Sequence, residues 1–196
     1  MRSVGAIILA AGQSSRFGKP KPLLPWAGES LVRRAVRAAT EAGCARVVVV
    51  VGAAGEEIAR ELRETNAEIV RNPDAPRGMG TSIRCGVQHL CASPEQLDAA
   101  VLLACDQPLV EAQVIAALIA RWQESGRVIV ASRYADTLGI PALFQRSGFD
   151  ALLNLPDASG AKALLESTVT AEIAFEAGAI DIDTPADYAN AVKFKP

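Results

Sequence analysis

Basic residues and glycines share a short loop directly after the first apolar segment of the chain. The segment from Leu9 to Leu24 reads LAAGQSSRFGKPKPLL, and its cations are Arg16, Lys19 and Lys21. Glycines such as Gly12 let backbone N–H groups turn toward an anion, and the basic side chains add positive charge. The loop is therefore typical of a site that holds phosphate groups.

Two familiar phosphate-binding motifs do not describe this loop. A Walker A motif has four residues between its glycines and a serine or threonine after its lysine. Here five residues separate Gly12 from Gly18, and Pro20 follows Lys19. The dinucleotide fingerprint GxGxxG also fails, because the glycine after Gly12 comes only at Gly18. The loop must bind an anion in some other way.

An acidic residue at the end of a later apolar run is a candidate metal ligand. Asp106 closes the run VLLACD, and carboxylates at the end of a buried strand are suitable ligands for Mg²⁺. The alternative is that Asp106 caps the helix that follows it, a frequent role for aspartate.

A second acidic segment, DIDTPADY, lies near the C-terminus. Asp181 and Asp183 alternate along it, so their side chains share one face of an extended segment. Thr184 and Asp187 fit a capping box at a helix start. Asp181 and Asp183 are not needed for that cap, so either is free to complete a metal site with Asp106.

The elements that must position these residues follow from the hydrophobic pattern. Strands are predicted at residues 4–9, 46–51, 67–71, 99–104 and 127–132, and helices at residues 30–42, 56–64, 81–91, 111–124 and 161–167. Residues 134–156 break this alternation and are predicted to be an irregular or antiparallel insertion. The alternation predicts an α/β fold with a mostly parallel sheet and helices on both faces. In such a sheet ligands bind at the carboxyl ends of the strands, where both candidate segments begin.

Composition limits the classes of protein that the chain can be. Its 196 residues predict a single domain over residues 1–196, and its net charge of −2 argues against binding to nucleic acid. No apolar stretch approaches the roughly 18 residues of a membrane span, and no secretory signal is visible, so we expect no membrane association and a cytoplasmic location. The four cysteines lack CxxC spacing, and His89 is the single histidine. A zinc site or a nucleophilic triad is therefore not expected.

Four motifs in order carry a family resemblance. LAAGxSxRFG followed by KPLL, then GMGTSIRCGV, then CDQP, and finally DIDTPADY resemble the nucleotidyltransferases that act on the molybdenum cofactor. Ala10-Ala11-Gly12 is similar to the cytidylyltransferase branch, whereas guanylyltransferases of the family usually read LAGG. The resemblance covers nearly the whole chain and implies a Rossmann-like three-layer nucleotidyltransferase fold.

The resemblance also implies an activity and its partners. The chain would transfer CMP from CTP to the phosphate of molybdopterin and release pyrophosphate, with Mg²⁺ as the cofactor and Mn²⁺ as a substitute. CTP, or GTP, and the molybdenum cofactor would be its ligands. A molybdoenzyme or its chaperone would receive the product.

Site residues carry over from the resemblance position by position. The implied catalytic residues are Lys21, Arg16 and Asp106, and the implied metal ligands are Asp106 and Asp183. The implied nucleotide-binding residues are Leu9, Ala10, Ala11, Gly12, Ser14, Ser15, Arg16, Lys21, Gly80, Thr81 and Ser82. The implied acceptor-binding residues are Gly139, Pro141, Ala142 and Gly160.

Other functions stay open at this point. Within the same class, the nucleotide could be GTP, or the acceptor could be a sugar phosphate. From other classes, a Rossmann-like fold suits an NAD(P)-dependent oxidoreductase, although the missing GxGxxG and the paired acidic residues count against it. A non-catalytic carrier of the molybdenum cofactor would bind the same ligands without releasing pyrophosphate.

Overall fold

A central sheet organises the computed structural model, which describes residues 2–12, 17–167 and 171–194. The strands are β1 (Val4–Ala10), β2 (Pro25–Trp26), β3 (Glu29–Ser30), β4 (Arg46–Val51), β5 (Glu68–Arg71), β6 (Ala99–Ala104), β7 (Ile129–Tyr134), β8 (Thr137–Gln145) and β9 (Ala171–Ala174). The helices are α1 (Leu31–Glu41), α2 (Gly55–Glu61), α3 (Met79–Ala92), α4 (Ala112–Ser125), α5 (Phe149–Leu153), α6 (Lys162–Ser167) and α7 (Pro185–Ala191).

The order of the strands creates a crevice beside β1. The seven-stranded sheet runs β5-β4-β1-β6-β8-β7-β9, and β8 is antiparallel to both of its neighbours while the other pairs are parallel. From β1 the chain first builds outward through β4 and β5, and then returns to place β6 on the other side of β1. The loops that follow β1 and β6 therefore diverge, and this switch point is where open α/β sheets bind ligands.

The run of five valines in β4 shows how the sequence produces a sheet covered on both faces. Val47, Val49 and Val51 belong to one apolar cluster, and Val48 and Val50 belong to the other. Successive side chains of a strand point to opposite faces, so a strand that is apolar throughout must be covered twice.

Helices supply that cover on each side of the sheet. The first cluster contains apolar residues of α1, α2 and α4, and the second contains those of α3, α5 and α6. The result is the predicted three-layer α/β architecture. In the part of the chain that the structure describes, no helix is long and apolar enough to cross a membrane.

A small third cluster fastens the C-terminal segment to the rest of the molecule. Leu24, Trp26 and Leu31 pack there against Ile182 and Ala191. The strands β2 and β3 that carry Trp26 form a hairpin whose two turn residues both have positive φ, as a type I′ turn requires. This packing brings the DIDTPADY segment to the sheet edge that also carries Lys21 and Asp106.

Several elements differ from those that the pattern predicts. Residues 134–156, predicted to be an irregular or antiparallel insertion, contain the antiparallel strand β8. Helix α3 begins at Met79 rather than Thr81, because Gly78 with φ of 134° allows the chain to enter the helix earlier. The two-residue strands of the hairpin are too short to show a hydrophobic period and were not predicted, and β9 was not predicted either.

Candidate active site

Two adjoining cavities open at the carboxyl ends of β1, β4, β5 and β6. The larger has a volume of about 770 Å³ and extends from the loop after β1 to the loops after β4 and β5. The smaller, of about 270 Å³, extends from the same loop to Met79 and Asp106. Both are lined by Ala10, Ala11 and Gly12, so the two cavities form one cleft along the switch point of the sheet.

The loop after β1 forms the wall between the two cavities. Leu9, the next-to-last residue of β1, lines the smaller cavity together with Ala10, Ala11 and Gly12. A side chain at Gly52 would lie 2.8 Å from the carbonyl oxygen of Ala11, so the loop after β4 packs directly on this backbone. The predicted nucleotide-binding residues Ser14, Ser15 and Arg16 lie outside the described residues.

Lys21 joins the two acidic segments. Its Nζ atom donates hydrogen bonds to Asp106 Oδ2 at 2.6 Å and to Asp183 Oδ1 at 3.0 Å. Burial alone would lower the pKa of Lys21, but the negative charge of Asp106 and the hydrogen bonds to both carboxylates raise it above its ordinary value. The ammonium group therefore stays charged at neutral pH, and three residues remote in sequence form one cluster.

Backbone and side-chain amides set the position of the two carboxylates. The N–H of Ile182 donates to the carbonyl oxygen of Asp106 at 2.9 Å. Buried Gln107 donates through Nε2 to the carbonyl oxygens of Ile140 and Gly178, each at 3.0 Å. These bonds tie the loop after β6 to β8 and to the segment that leads to Asp183.

The capping alternative explains only part of the second acidic segment. Asp187 Oδ2 accepts from the backbone N–H of Thr184 at 2.7 Å, and Thr184 Oγ1 accepts from the N–H of Asp187, so this pair forms the predicted capping box. Asp183 instead faces Lys21. Partial desolvation, and then the charges of Asp183 and Asp106, raise the pKa of Asp181. The three carboxylates thus lie close enough to influence one another, although only Asp106 and Asp183 are hydrogen-bonded to Lys21 among the contacts described.

The donor set suits a divalent cation that a substrate helps to bind. Among the described residues no three or more histidine, cysteine or acidic side chains form a complete metal cage. Mg²⁺ usually binds through one or two carboxylates together with substrate phosphates and water, so a complete cage is not required. Asp106 and Asp183 both contact one cation, the Lys21 ammonium group. They are therefore placed to act as the two carboxylate ligands of such an ion.

The predicted residues at the start of α3 have different surroundings. Ser82 lines the smaller cavity. Thr81 is buried, accepts a hydrogen bond from Asn72 Nδ2 at 2.9 Å, and places its own Oγ1 2.7 Å from the carbonyl oxygen of Gly78. A side chain at Gly80 would lie 2.1 Å from the carbonyl oxygen of Pro156. Thr81 and Gly80 therefore contact protein groups at the start of this helix, and their implied role in nucleotide binding stays a prediction.

The predicted acceptor residues do not line either cavity. Ala142 is 0 % exposed and pairs with Leu102 within the sheet, and Pro141 is also buried, so neither offers surface to a ligand. A side chain at Gly139 would meet the Tyr134 hydroxyl at 2.0 Å. All three residues lie on β8, an inner strand of the sheet, and the acceptor-binding role implied for Gly139, Pro141 and Ala142 stays a prediction. Gly160 alone lies beside the cleft, next to Met79, which lines the smaller cavity.

Three supporting residues were not found from the sequence. Gln107 ties two segments to the Asp106 loop, Asn72 donates to the hydroxyls of Thr81 and Ser82, and Arg34 donates through Nε to the carbonyl oxygen of Pro108 at 2.6 Å. Gln107 stands inside the CDQP motif, which is the one signal that could have identified it. Neither Asn72 nor Arg34 lies in a motif.

The fold and the cleft define an α/β protein with a ligand-sized cavity at the switch point of its sheet. The chain belongs to the family described as the MobA-like NTP transferase domain, whose model matches residues 6–173. Over 194 residues it is 26% identical to the molybdenum cofactor cytidylyltransferase of Escherichia coli, covering 97% of this chain and 96% of that protein. Over 93 residues it is 44% identical to the bifunctional IPC transferase and DIPP synthase of Rubrobacter xylanophilus, a match that spans 44% of this chain and 21% of that protein.

Solved structures show the same fold over nearly the whole chain. Rv0371c from Mycobacterium tuberculosis H37Rv superposes with a TM-score of 0.85 at 27% identity, covering 98% of each chain. A structure of Rv0371C in complex with manganese gives a TM-score of 0.80 at 25% identity, covering 97% of this chain and 98% of that one. The architecture is therefore that of an α/β nucleotidyltransferase.

Proposed function

We propose that this protein transfers CMP from CTP to the phosphate of the molybdenum cofactor and releases pyrophosphate, with Mg²⁺ as cofactor. The observation that carries the proposal is the contact of Lys21 with both Asp106 and Asp183 at one end of a nucleotide-sized cleft. The similarity to the Escherichia coli molybdenum cofactor cytidylyltransferase over nearly the full length of both chains supports the choice of nucleotide and acceptor.

The chemistry requires alignment and charge neutralisation more than a nucleophilic side chain. The second pKa of a phosphate monoester is about 6, so the acceptor phosphate is largely ionised at neutral pH without a general base. Its oxygen forms a new bond to the α-phosphorus of CTP, and the bond from that phosphorus to the bridging oxygen breaks, so that the electron pair leaves with pyrophosphate. Among the described residues that line the cleft there is no histidine, and burial raises the pKa of Cys105, which accords with such a mechanism.

Lys21, Asp106 and Asp183 take the central roles in this proposal. Asp106 and Asp183 would hold Mg²⁺, which supplies neutralisation of charge on the phosphate oxygens when it is bound. Mn²⁺ is the expected substitute, and the relative solved in complex with manganese supports this. Lys21 and Arg16 would stabilise the negative charge that develops around the α-phosphorus.

The rest of the nucleotide would lie along the loop after β1. Backbone N–H groups of residues 10–12 and the side chains of Ser14 and Ser15 would contact the triphosphate, and the larger cavity would hold the nucleoside. Ser82 would contact the nucleoside or the acceptor from the smaller cavity, whereas Gly80 and Thr81 would shape its wall. Gly160 is the predicted acceptor residue that lies next to Met79 and the smaller cavity.

Pyrophosphate release with each nucleotide tests the proposal directly. Purified protein is mixed with Mg²⁺, molybdenum cofactor and CTP, GTP or ATP in turn, and the dinucleotide product is identified by chromatography. Release with CTP supports the proposal, and preference for GTP retains the reaction but changes the nucleotide. Release only with a sugar phosphate as acceptor would change the acceptor.

Two controls separate the other classes of function. Oxidation of NAD(P)H without a metal requirement would favour an oxidoreductase. Binding of CTP and molybdenum cofactor without pyrophosphate release would favour a carrier that hands the cofactor to a molybdoenzyme or its chaperone. Either result would contradict the transferase proposal.

A further inference from the structure

Lys21 occupies the position where the two candidate metal ligands converge. Its Nζ atom lies 2.6 Å from Asp106 Oδ2 and 3.0 Å from Asp183 Oδ1. The two aspartates belong to different segments, one after β6 and the other before α7, and the ammonium group is the cation that bridges them. Side-chain hydrogen bonds to both carboxylates contribute to its charged state.

A divalent cation needs oxygens of the same two carboxylates. Mg²⁺ binds carboxylate oxygens at about 2.0–2.1 Å. An ammonium group within 3.0 Å of oxygens on both carboxylates would then lie only a few ångströms from the divalent ion. Two cations at that separation repel strongly in a partly buried site. The carboxylate pair therefore cannot bind both cations tightly at the same time.

We propose that Lys21 and the divalent metal compete for Asp106 and Asp183, so that the metal binds together with the nucleotide rather than before it. The inference rests on the proposed function, in which the triphosphate offers Lys21 another anionic partner. When Lys21 turns to the phosphate, the carboxylate pair becomes available to the metal. The same lysine thus limits metal binding in the absence of nucleotide and acts on the substrate when nucleotide is present.

The side chain of Lys21 has the surroundings that such a change of partner requires. It also lines the smaller cavity with Ala11 and Gly12, the backbone proposed to hold the triphosphate. Among the contacts described, the Lys21 ammonium group lies within 3.0 Å of oxygens on both Asp106 and Asp183. Replacing the ammonium group with an uncharged side chain therefore leaves these carboxylates with more attraction for an added cation.

Titration of Mn²⁺ alone, without nucleotide, tests the competition. Lys21→Met keeps the length of the side chain and removes its charge, so we expect it to bind Mn²⁺ at least about tenfold more tightly than the wild type. Lys21→Arg, which keeps the charge, should bind Mn²⁺ as weakly as the wild type. The matched control is Lys162→Met, which removes an exposed lysine whose partner Glu166 lies 3.7 Å away on α6, and it should bind Mn²⁺ like the wild type. Free Mn²⁺ is measured by electron paramagnetic resonance.

Two further results locate the effect. Asp106→Asn in the Lys21→Met background should abolish the gain in affinity, because the gain depends on the carboxylate pair. Addition of CTP should raise the Mn²⁺ affinity of the wild type by a larger factor than that of Lys21→Met. If Lys21→Met does not fold, Lys21→Gln is judged by the same criterion.

The outcome is independent of turnover. Equal or weaker Mn²⁺ binding by a folded Lys21→Met or Lys21→Gln variant overturns the competition, even if the wild type releases pyrophosphate from CTP. Tighter binding supports the competition even if the acceptor or the nucleotide proves to be different. The competition and the proposed function therefore fail separately.

Discussion

The backbone N–H of Ile182 donates a hydrogen bond of 2.9 Å to the carbonyl oxygen of Asp106. Ile182 precedes Asp183 directly, so this bond joins the two acidic motifs by their main chains. The Ile182 side chain is fully buried against Leu24 and Trp26 in the small third cluster. The relative position of the two carboxylates is thus determined by main-chain bonding and by the core beneath it.

Gln107 is predicted to be a positioning residue for this arrangement. Gln107→Leu removes the Nε2 donor to the carbonyl oxygens of Ile140 and Gly178, so the segment that leads to Asp183 loses its side-chain link to the Asp106 loop, although the Tyr134 hydroxyl still donates to Ile140. We expect kcat to fall by roughly tenfold to a hundredfold, because a displacement of about 1 Å at a reacting centre can cost that much. The KM for CTP should change little, since the larger cavity is not touched. Steady-state kinetics of pyrophosphate release measures both quantities.

A glutamine far from the cleft provides the control for Gln107. Gln145 accepts a hydrogen bond from Trp122 Nε1 at 3.3 Å and pairs with Ala99, at the opposite end of β6 from Asp106. Gln145→Leu and Gln107→Leu should both lower the thermal midpoint of unfolding. Only Gln107→Leu should lower kcat. A similar loss of kcat in both variants would show that general destabilisation, and not positioning, explains the effect.

Asp106 is predicted to be essential for turnover. Asp106→Ala removes the carboxylate that lies closest to Lys21, and turnover should fall by roughly a hundredfold or more, as when one electrostatic element of an active site is deleted. Asp150→Ala, which removes an exposed carboxylate from the start of α5, should keep normal turnover. Near-normal pyrophosphate release by Asp106→Ala would exclude Asp106 as a metal ligand.

Much of the fold follows from the hydrophobic pattern because apolar runs and helix-ending glycines recur along the chain. The valines of β4 require cover on two faces, and Gly43 and Gly126 end α1 and α4 with positive φ near the predicted places. The pattern could not show that β8 enters the sheet between β6 and β7. Strand order depends on packing between distant segments, which no local period records.

The candidate site was predictable where a residue carries its own chemical signal. Lys21, Asp106 and Asp183 each stand in a motif, and the fold brings them within hydrogen-bond distance. Arg34 shows the limit of such inference. It lies in no motif, yet it is 5 % exposed and donates to the Pro108 carbonyl oxygen. A supporting contact of this kind depends on where the loop after β6 passes over α1.

Gly80 is predicted to tolerate no side chain. In Gly80→Ala the new methyl group would lie 2.1 Å from the carbonyl oxygen of Pro156, and this main-chain atom has to move. We expect a loss of roughly 1–3 kcal/mol in the free energy of unfolding, which is typical of overpacking. Urea unfolding measures it.

Gly160→Ala is the matched substitution for Gly80→Ala. Its methyl group would meet only the flexible end of the Met79 side chain, at 3.2 Å, so its unfolding free energy should stay close to that of the wild type. Equal losses in the two variants would mean that the loop at residues 155–160 does not pack on α3 as described.

Glu68 is predicted to make stability depend on pH in the acid range. Hydrogen bonds from Arg46, opposed by burial and assisted by His89, lower the pKa of Glu68 from 4.5 to about 2. Its ionised form therefore stabilises the fold above about pH 4.5, and this contribution disappears as the pH falls toward 2.

Glu68→Gln should accordingly be less stable than the wild type at neutral pH, and the difference should shrink as the pH falls from about 4.5 to about 2. Because the Glu68 side chain is 36% exposed, solvent screens the interaction and the difference at neutral pH should be about 1 kcal/mol or less. The effect is measured from the thermal midpoints of both proteins across this pH range. Glu172→Gln, which breaks the exposed pair with Arg133, is measured as a comparison. A difference between wild type and Glu68→Gln that stays constant down to the acid limit would mean that the charge of Glu68 does not contribute to stability.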